Sequence, residues 1–165
     1  PKEAVDAFAA SGKDRSPAEW ALRWLWAQKE VFLVLSGMND LLQLEENIRI
    51  ASLPREEMLD AADLPYFERA VQAIRRDTKI DCSACGYCMP CPAGVDIPES
   101  FRIWNSMGMY ENQRLTRRSW KGLGEGARPA NCVGCGRCEE LCPQHISIRR
   151  DLVQVTAQVE EFIQK

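Results

Sequence analysis

The chain has 165 residues, a net charge of −3 and a pI near 5.3. This length suits one ordinary domain, or a small domain with an attached segment. The slightly acidic chain offers no basic footprint for nucleic acid, and its longest apolar run is too short to cross a membrane, so we expect a cytoplasmic protein that binds neither.

The first predicted element is a helix that begins after Ser16. Ser16 and Glu19 have the spacing of a capping box, and Pro17 occupies the first helical position. The apolar residues that recur behind them at helical spacing, and that we expect to face the core, are Ala18, Ala21, Leu22 and Leu25.

A buried strand is predicted next. Residues 31–35 form an unbroken apolar run between polar neighbours, which is typical of a strand covered on both faces of a parallel sheet. Asn39 or Asp40 then caps a second helix. The apolar face of that helix comprises Leu41, Leu44, Ile48 and Ala51. No other segment predicts a strand, so we interpret the helix, strand and helix of residues 1–53 as the final repeat of a larger fold, in a chain that is the C-terminal piece of a longer protein.

Residues 54–79 are predicted to form a helical connector, with a break near Leu64 and Pro65. The connector leads into a region, residues 80–165, that contains every cysteine of the chain. We expect this region to be a separate, small domain.

The eight cysteines lie in two short runs. They are Cys82, Cys85, Cys88 and Cys91, followed by Pro92, and Cys132, Cys135, Cys138 and Cys142, followed by Pro143. The second run has the spacing of bacterial ferredoxins, in which three close thiolates hold one [4Fe-4S] cluster and the fourth reaches to the other cluster. The first run has one residue fewer before its last cysteine, so Cys91 is the predicted ligand that fits the ferredoxin spacing least well.

On that rule, each run supplies three ligands to one cluster and one ligand to the other. We assign one [4Fe-4S] cluster to Cys82, Cys85, Cys88 and Cys142, and the second to Cys132, Cys135, Cys138 and Cys91.

Two other chemistries compete for these thiols. Disulfides are disfavoured because the cysteines are clumped and a chain of this size does not need covalent stapling. Structural zinc favours two C-x2-C pairs separated by a dozen or more residues, whereas here four cysteines follow one another at short steps. Zinc stays open as the alternative, since thiolates also bind it.

The 40 residues between Cys91 and Cys132 have a helical pattern. Ile97, Phe101, Trp104 and Met107 recur at helical spacing, and a second helix is predicted from about Tyr110 to Trp120. A closing helix follows Pro143. These elements predict a mainly α, α-helical ferredoxin-like fold for residues 80–165. The basic cluster of this region comprises Arg114, Arg117, Arg118 and Lys121, which we interpret as a solvated helix face or as a docking surface for a redox partner.

Two stretches of the chain resemble a known family. The sequences around residues 16–24, 34–38 and 44–48 are similar to the last repeat of the aldo/keto reductase barrel. The segment from Cys82 to Pro98 resembles the ferredoxin-like extension carried by one branch of that family. Members of the family are TIM barrels that reduce carbonyls with NADPH. The resemblance therefore implies that residues 1–53 are the last α-β-α repeat of a TIM barrel. It also implies an oxidoreductase whose remaining barrel would be the first partner of this chain.

The resemblance also implies a nucleotide site and limits the activity of this chain. The positions that match the family's contacts to NADPH or NADH are Ser36, Gly37, Met38, Gln43, Glu46 and Asn47. The family's catalytic residues belong to earlier barrel strands, so we expect no catalytic residue in these 165 residues and no carbonyl reduction by this chain alone.

Our functional hypothesis is an iron–sulfur domain that relays single electrons through two [4Fe-4S] clusters between an unidentified redox partner and an aldo/keto reductase-like barrel. The alternative is a structural role, in which iron–sulfur clusters or zinc only hold the domain folded. Redox activity of the bound metal separates the two hypotheses.

Overall fold

The computed structural model describes all residues from 1 to 165, is 61% helical and contains no strand. The chain divides into two compact units, an N-terminal unit of residues 1–74 and a C-terminal unit of residues 75–165. The helices are α1 Lys2–Ala9, α2 Pro17–Ala27, α3 Leu41–Ala51, α4 Leu64–Asp77, α5 Ile97–Tyr110, α6 Gln113–Gly122, α7 Arg137–Glu140 and α8 Ile148–Gln164. Short 3-10 turns occupy Arg55–Glu57, Ala61–Asp63, Glu125–Ala127 and Pro129–Asn131. None of the helices combines the length and the apolarity that a membrane span requires.

Helix α2 begins where the sequence predicts. The Ser16 hydroxyl accepts a hydrogen bond from the Glu19 N–H at 2.9 Å, with Pro17 in the first turn. The Glu19 side chain does not complete the capping box by bonding back to residue 16. Its buried carboxylate instead accepts hydrogen bonds from Arg23 Nε at 2.7 Å and Arg49 Nη2 at 2.6 Å. The buried face of α2 therefore contains an ion-paired carboxylate.

The apolar face predicted for α2 is only partly buried. Ala18 and Ala21 are exposed and Leu22 and Leu25 are half-buried, whereas the fully buried residues of the helix are Glu19, Trp20 and Arg23. The Trp20 ring stacks on Phe8 at 4.9 Å and meets Phe67 edge-on at 5.4 Å. This aromatic contact, and not the alanines, lies at the centre of the buried face of the helix.

The predicted strand is not formed in this structure. Residues 31–39 have no regular secondary structure, and the side chains of Phe32 and Leu35 are 88% and 91% exposed. A strand needs neighbouring strands for its backbone hydrogen bonds, and these 165 residues supply none. The predicted α-β-α repeat is thus observed as two helices joined by an irregular apolar segment.

Helix α3 begins as predicted but exposes its apolar face. Asp40 is the N-cap, and its carboxylate accepts a hydrogen bond from the Gln43 N–H at 2.9 Å. Leu41 and Ile48 are exposed, and Ile50 is the one buried residue of the helix. Apolar side chains of residues 31–48 are therefore exposed to solvent in this structure.

A buried carboxylate organises the start of α4 in the N-terminal unit. Asp63 is fully buried and accepts hydrogen bonds from Lys13 Nζ at 2.5 Å, Arg15 Nη1 at 3.1 Å and the Asp60 N–H at 3.2 Å. Burial alone would raise the pKa of Asp63, but the bonds from Lys13, Asp60 and Arg15 outweigh it, and the pKa lies below its ordinary value. Asp63 is therefore ionised in the folded protein.

The C-terminal unit is built on α5, α6 and α8. Asp96 caps α5 by accepting a hydrogen bond from the Glu99 N–H at 3.1 Å, with proline in the first turn, so the predicted helix is confirmed. Helix α6 starts three residues later than predicted because Glu111 has a φ of +47° and separates it from α5. The Trp104 indole donates to the Gln158 amide oxygen at 3.0 Å and joins α5 to the predicted closing helix, α8. The buried residues of this core are Ile80, Val95, Ile97, Phe101, Ile103, Trp104, Met107, Trp120, Ile148, Leu152, Val155 and Val159.

The backbone of residues 77–80 lies directly against α5. The Asn105 side chain accepts hydrogen bonds from the Lys79 and Ile80 N–H groups at 2.9 and 3.0 Å and donates to the Ile80 carbonyl at 2.8 Å. Gly108 lies so close that a Cβ there would sit 2.4 Å from the Asp77 carbonyl oxygen. Only glycine permits this contact.

A Gly108→Ala variant is expected to lose about 1–3 kcal/mol of unfolding free energy, because the added methyl forces the backbone of residues 77–79 away from α5. Gly122→Ala is the matched control, since a Cβ there meets no atom within 4 Å and alanine favours the helical state by up to about 1 kcal/mol. Urea denaturation of both variants measures the difference. Equal stability of the two would contradict the close approach.

Candidate metal centre

Two cavities open at the ends of α5 and α8, and cysteines from both runs line each of them. The thiols of the first cavity are Cys82, Cys85, Cys88 and Cys142. Those of the second are Cys91, Cys132, Cys135 and Cys138, with Cys88 at the boundary between the two. The cavities are similar in size, with about 340 and 380 Å³ of space between protein atoms that is partly open to solvent. The structure thus brings together each predicted set of four, including Cys91.

The two cavities are built by an internal repeat. Residues 82–88 correspond to residues 132–138, and residues 91–101 correspond to residues 142–152, with the one-residue difference between the runs falling in the gap. The second segment of each pair leads from a cysteine and a proline into a long helix, α5 or α8. Each helix therefore places its first turn beside a cavity.

The backbone conformation repeats as well. Gly86 and Gly136 have φ values of +79° and +83°, and each carbonyl accepts a hydrogen bond from the N–H three residues on, at 2.9 and 3.0 Å. Gly94 and His145 are also equivalent. Both have positive φ, and each N–H donates to the backbone carbonyl of the cysteine three residues earlier, at 2.9 and 3.1 Å. These tight turns hold the thiols around each cavity. His145, the only histidine, is exposed and lines neither cavity.

The thiols fit iron–sulfur clusters better than single ions. No three His, Cys, Asp or Glu side chains in the chain are grouped closely enough to hold one metal ion. Zinc requires such convergence, because its thiolates lie about 2.3 Å from one point. Thiols that surround a cavity, four to each, are the donor set of a multi-iron cluster.

Burial favours the protonated form of two of the thiols, Cys88 and Cys138. Burial raises the pKa of Cys88 to about 11, and it also raises the pKa of Cys138, with the neighbouring Glu139 carboxylate as the next cause. Metal ligation needs thiolates, so cofactor binding at these positions releases protons. The apolar residues around the thiols, which include Ile97 and Ile148, favour a bound cofactor shielded from water.

Two arginines distinguish the cavities, and sequence reasoning missed both. Arg137 and Arg149 line the second cavity, whereas no charged side chain lines the first. In the repeat, Arg137 corresponds to Tyr87 and Arg149 to Pro98. Aligning one cysteine run with the other would have revealed the difference.

The six residues predicted to contact a nucleotide lie at the N-terminal end of α3 and in the segment before it. The Asn47 amide donates to Ser36 Oγ at 2.9 Å and to Met38 Sδ at 3.1 Å, while Gln43 Oε1 accepts from the Asn39 N–H at 3.2 Å. Glu46 instead accepts a hydrogen bond from the Ser16 hydroxyl at 2.6 Å, and Gly37 is exposed. The Asp40 carboxylate already occupies the helix N-terminus, where a phosphate would otherwise bind.

The predicted basic cluster lies along the exposed side of α6. Arg114, Arg118 and Lys121 are exposed, and the Arg117 guanidinium donates to the Ile163 carbonyl at the end of α8. None of the four lines either cavity. One member of the cluster therefore has a structural contact, and the others form a solvated helix face.

In the comparisons with known proteins, one family model matches part of the chain. Neither the curated proteins nor the solved structures include a match. The comparisons give no support to the aldo/keto reductase resemblance of residues 16–48. The family model of the 4Fe-4S dicluster domain matches residues 81–147, the stretch that holds all eight cysteines, and supports iron–sulfur clusters as the cofactors of this region.

Proposed function

We propose that the C-terminal unit is an electron-transfer module that holds two [4Fe-4S] clusters. The observation that carries the proposal is the lining of the two cavities, in which three thiols of one cysteine run meet at least one thiol of the other, with Cys88 lining both cavities. The match to the 4Fe-4S dicluster domain supports the same cofactors. Bound there, each cluster would supply a one-electron redox centre.

Different residues of the unit would shield the clusters from water and expose them to a redox partner. Ile97 and Ile148 are each 1% exposed, start the two helices and exclude water from the inner side of the cavities. Cys85 and Cys135 are the two exposed cysteines, one at each cavity. These two thiols mark the outer edges, where a redox partner could approach closely. The unidentified partner of our hypothesis would dock over these edges in a small, transient interface.

We also propose, from the resemblance, that the N-terminal unit belongs to an aldo/keto reductase-like barrel in the full-length protein. The exposed apolar side chains of residues 31–35 suit a strand that pairs with neighbours supplied by other residues. In the full-length protein the backbone amides of this segment should exchange slowly with solvent, and in the 165-residue chain they should exchange fast. Fast exchange in both would remove the barrel from the proposal.

Nucleotide binding depends on the same barrel. The contacts proposed for NADPH or NADH involve Ser36, Gly37, Met38, Gln43, Glu46 and Asn47. In the 165-residue chain, these residues bond to one another, to Ser16 and to the α3 N-terminus. We therefore expect nucleotide binding in the full-length protein only.

The alternative function is a structural metal domain, with clusters or zinc that undergo no redox change. This alternative is supported by the fact that each cavity is lined by cysteines of both runs. A metal centre that joins two distant segments of the chain contributes directly to folding. The electron-transfer proposal differs from it in one observable, the reducibility of the bound metal.

Metal analysis of anaerobically purified protein, followed by EPR after dithionite reduction, tests the proposal. We expect about eight irons and eight acid-labile sulfides per chain, and EPR signals from reduced clusters that interact. One or two zinc ions without sulfide, persisting after anaerobic reconstitution with iron and sulfide, would establish the structural alternative. Full iron that dithionite cannot reduce would leave the clusters in place and remove their redox role.

A further inference from the structure

We infer that a cluster bound by Cys91, Cys132, Cys135 and Cys138 has a higher reduction potential than a cluster at the other site. The reason is that Arg137 and Arg149 line the cavity of these four cysteines. The inference rests on the proposed function, since it concerns clusters at these thiols. It names the residues that make two otherwise equivalent sites unequal.

The internal repeat provides the comparison. The two sites share the spacing of three thiols, the positive-φ glycines and the isoleucine that starts each helix. Because these backbone features are shared, the side chains that differ between the two sites are the first place to look for a difference in potential. Charge is the clearest of these differences, with two guanidinium groups at one cavity and none at the other.

Arg149 is fixed in place beside the second site. Its Nε donates to Glu139 Oε2 at 2.9 Å, and Nη2 lies 2.7 Å from the same oxygen. Nη1 donates to the Gly134 carbonyl at 3.4 Å, and a Cβ on Gly136 would lie 3.7 Å from Arg149 Cζ. The guanidinium therefore rests on the loop that carries Cys135 and Cys138.

The Glu139 carboxylate opposes the effect of Arg149, because it pairs with the guanidinium and also acts on the Cys138 thiol. The carboxylate does not line the cavity, whereas the guanidinium does, so the positive end of the ion pair faces the cluster site. Arg137 adds a second positive charge at the same cavity. Reduction adds a negative charge to a cluster, and a nearby positive charge stabilises that reduced form. Both arginines are exposed, which screens the interaction and keeps the expected difference modest.

The test is an anaerobic potentiometric measurement with dithionite as the reductant, following both clusters by EPR. Arg149→Gln should lower the higher of the two midpoint potentials and leave the lower one in place; a fall of the lower midpoint alone would contradict the inference. We expect the ratio of reduced to oxidised cluster at that site to fall about tenfold at a fixed potential, which corresponds to about 59 mV for one electron. Arg149→Lys keeps the charge and should stay within about threefold of the wild type.

Matched variants separate charge from structure. Arg150→Gln is the control, because Arg150 is the next residue on α8, pairs with Asp151 and lines neither cavity. If the Arg149→Gln protein does not retain the cluster of the second site, Arg137→Gln tests the charge effect with the other arginine of that site. Tyr87→Arg places an arginine at the equivalent position of the first site and should raise the other midpoint.

Two other results would overturn the inference. One is a pair of unchanged midpoints in Arg149→Gln and Arg137→Gln at full iron content. The other is an equal shift of both midpoints, which would mean that the charges do not act on one site. A wild-type protein without iron would instead overturn the proposed function, and the inference with it.

Discussion

Replacing Cys142 with serine is expected to remove the cluster held by the first cysteine run, although Cys142 belongs to the second. In the structure, Cys142 lines the cavity of Cys82, Cys85 and Cys88, and the second cavity has its own four thiols without it. A [4Fe-4S] cluster with three thiolates is labile, so the variant should retain about four of the eight irons. Iron and sulfide analysis after anaerobic desalting measures the loss.

Double variants identify which cysteines act together. Cys82→Ser combined with Cys142→Ser should lose no more iron than either single variant, because both cysteines serve one site. Cys132→Ser combined with Cys142→Ser should lose nearly all iron, because the two belong to different sites. The opposite result, with additive loss in the first pair and none in the second, would show that each run holds its own cluster.

A second large effect is expected at Asp63. Asp63→Asn keeps the shape of the side chain but removes the buried charge that Lys13 and Arg15 contact. Breaking a buried ion pair at one partner costs about 3–5 kcal/mol, and we expect the lower end because Lys13 is 33% exposed and can regain water. Urea unfolding measures the loss. Tryptophan fluorescence follows both units, through Trp20 in this one and Trp104 and Trp120 in the other, so the transition that shifts in Asp63→Asn is the one to assign to this unit. Asp60→Asn, at a side chain that is 60% exposed, is the control and should lose far less.

The same residue predicts a pH dependence. Because hydrogen bonds hold the pKa of Asp63 below its ordinary value in the folded state, its contribution is fully present above the ordinary pKa of about 4. The contribution is lost as the pH falls through the lower, folded-state pKa. The difference in unfolding free energy between wild type and Asp63→Asn should therefore be constant near neutral pH and shrink below about pH 4. A difference that persisted unchanged in acid would assign the stabilisation to packing.

The grouping of the cysteines could be predicted from the sequence because its signals are local. Cysteine spacing within each run, and the proline after each fourth cysteine, do not depend on how the rest of the chain packs. The same holds for the N-caps Ser16 and Asp40, which satisfy backbone groups within their own turns. The cavities bring together the thiols that the spacing rule pairs, Cys91 among them.

Elements that depend on distant partners could not be predicted in the same way. Residues 31–35 have the composition of a buried strand, but composition does not supply the neighbouring strands that the backbone requires. The buried face of α2 is set by Trp20 against Phe8 and Phe67, residues far apart in the chain. Arg149 was missed for a related reason, since its place at the second cavity is visible only when α8 is compared with α5.

The crossing of the two cysteine runs also bears on how the protein is made. Translation adds residues in order, and the second cavity has its four thiols only after Cys138, the first only after Cys142. A ribosome that has completed the first run therefore carries four cysteines that cannot yet form either site. On the proposed ligand sets, iron–sulfur insertion would follow synthesis of nearly the whole domain, and the nascent first run would have to stay reduced until then.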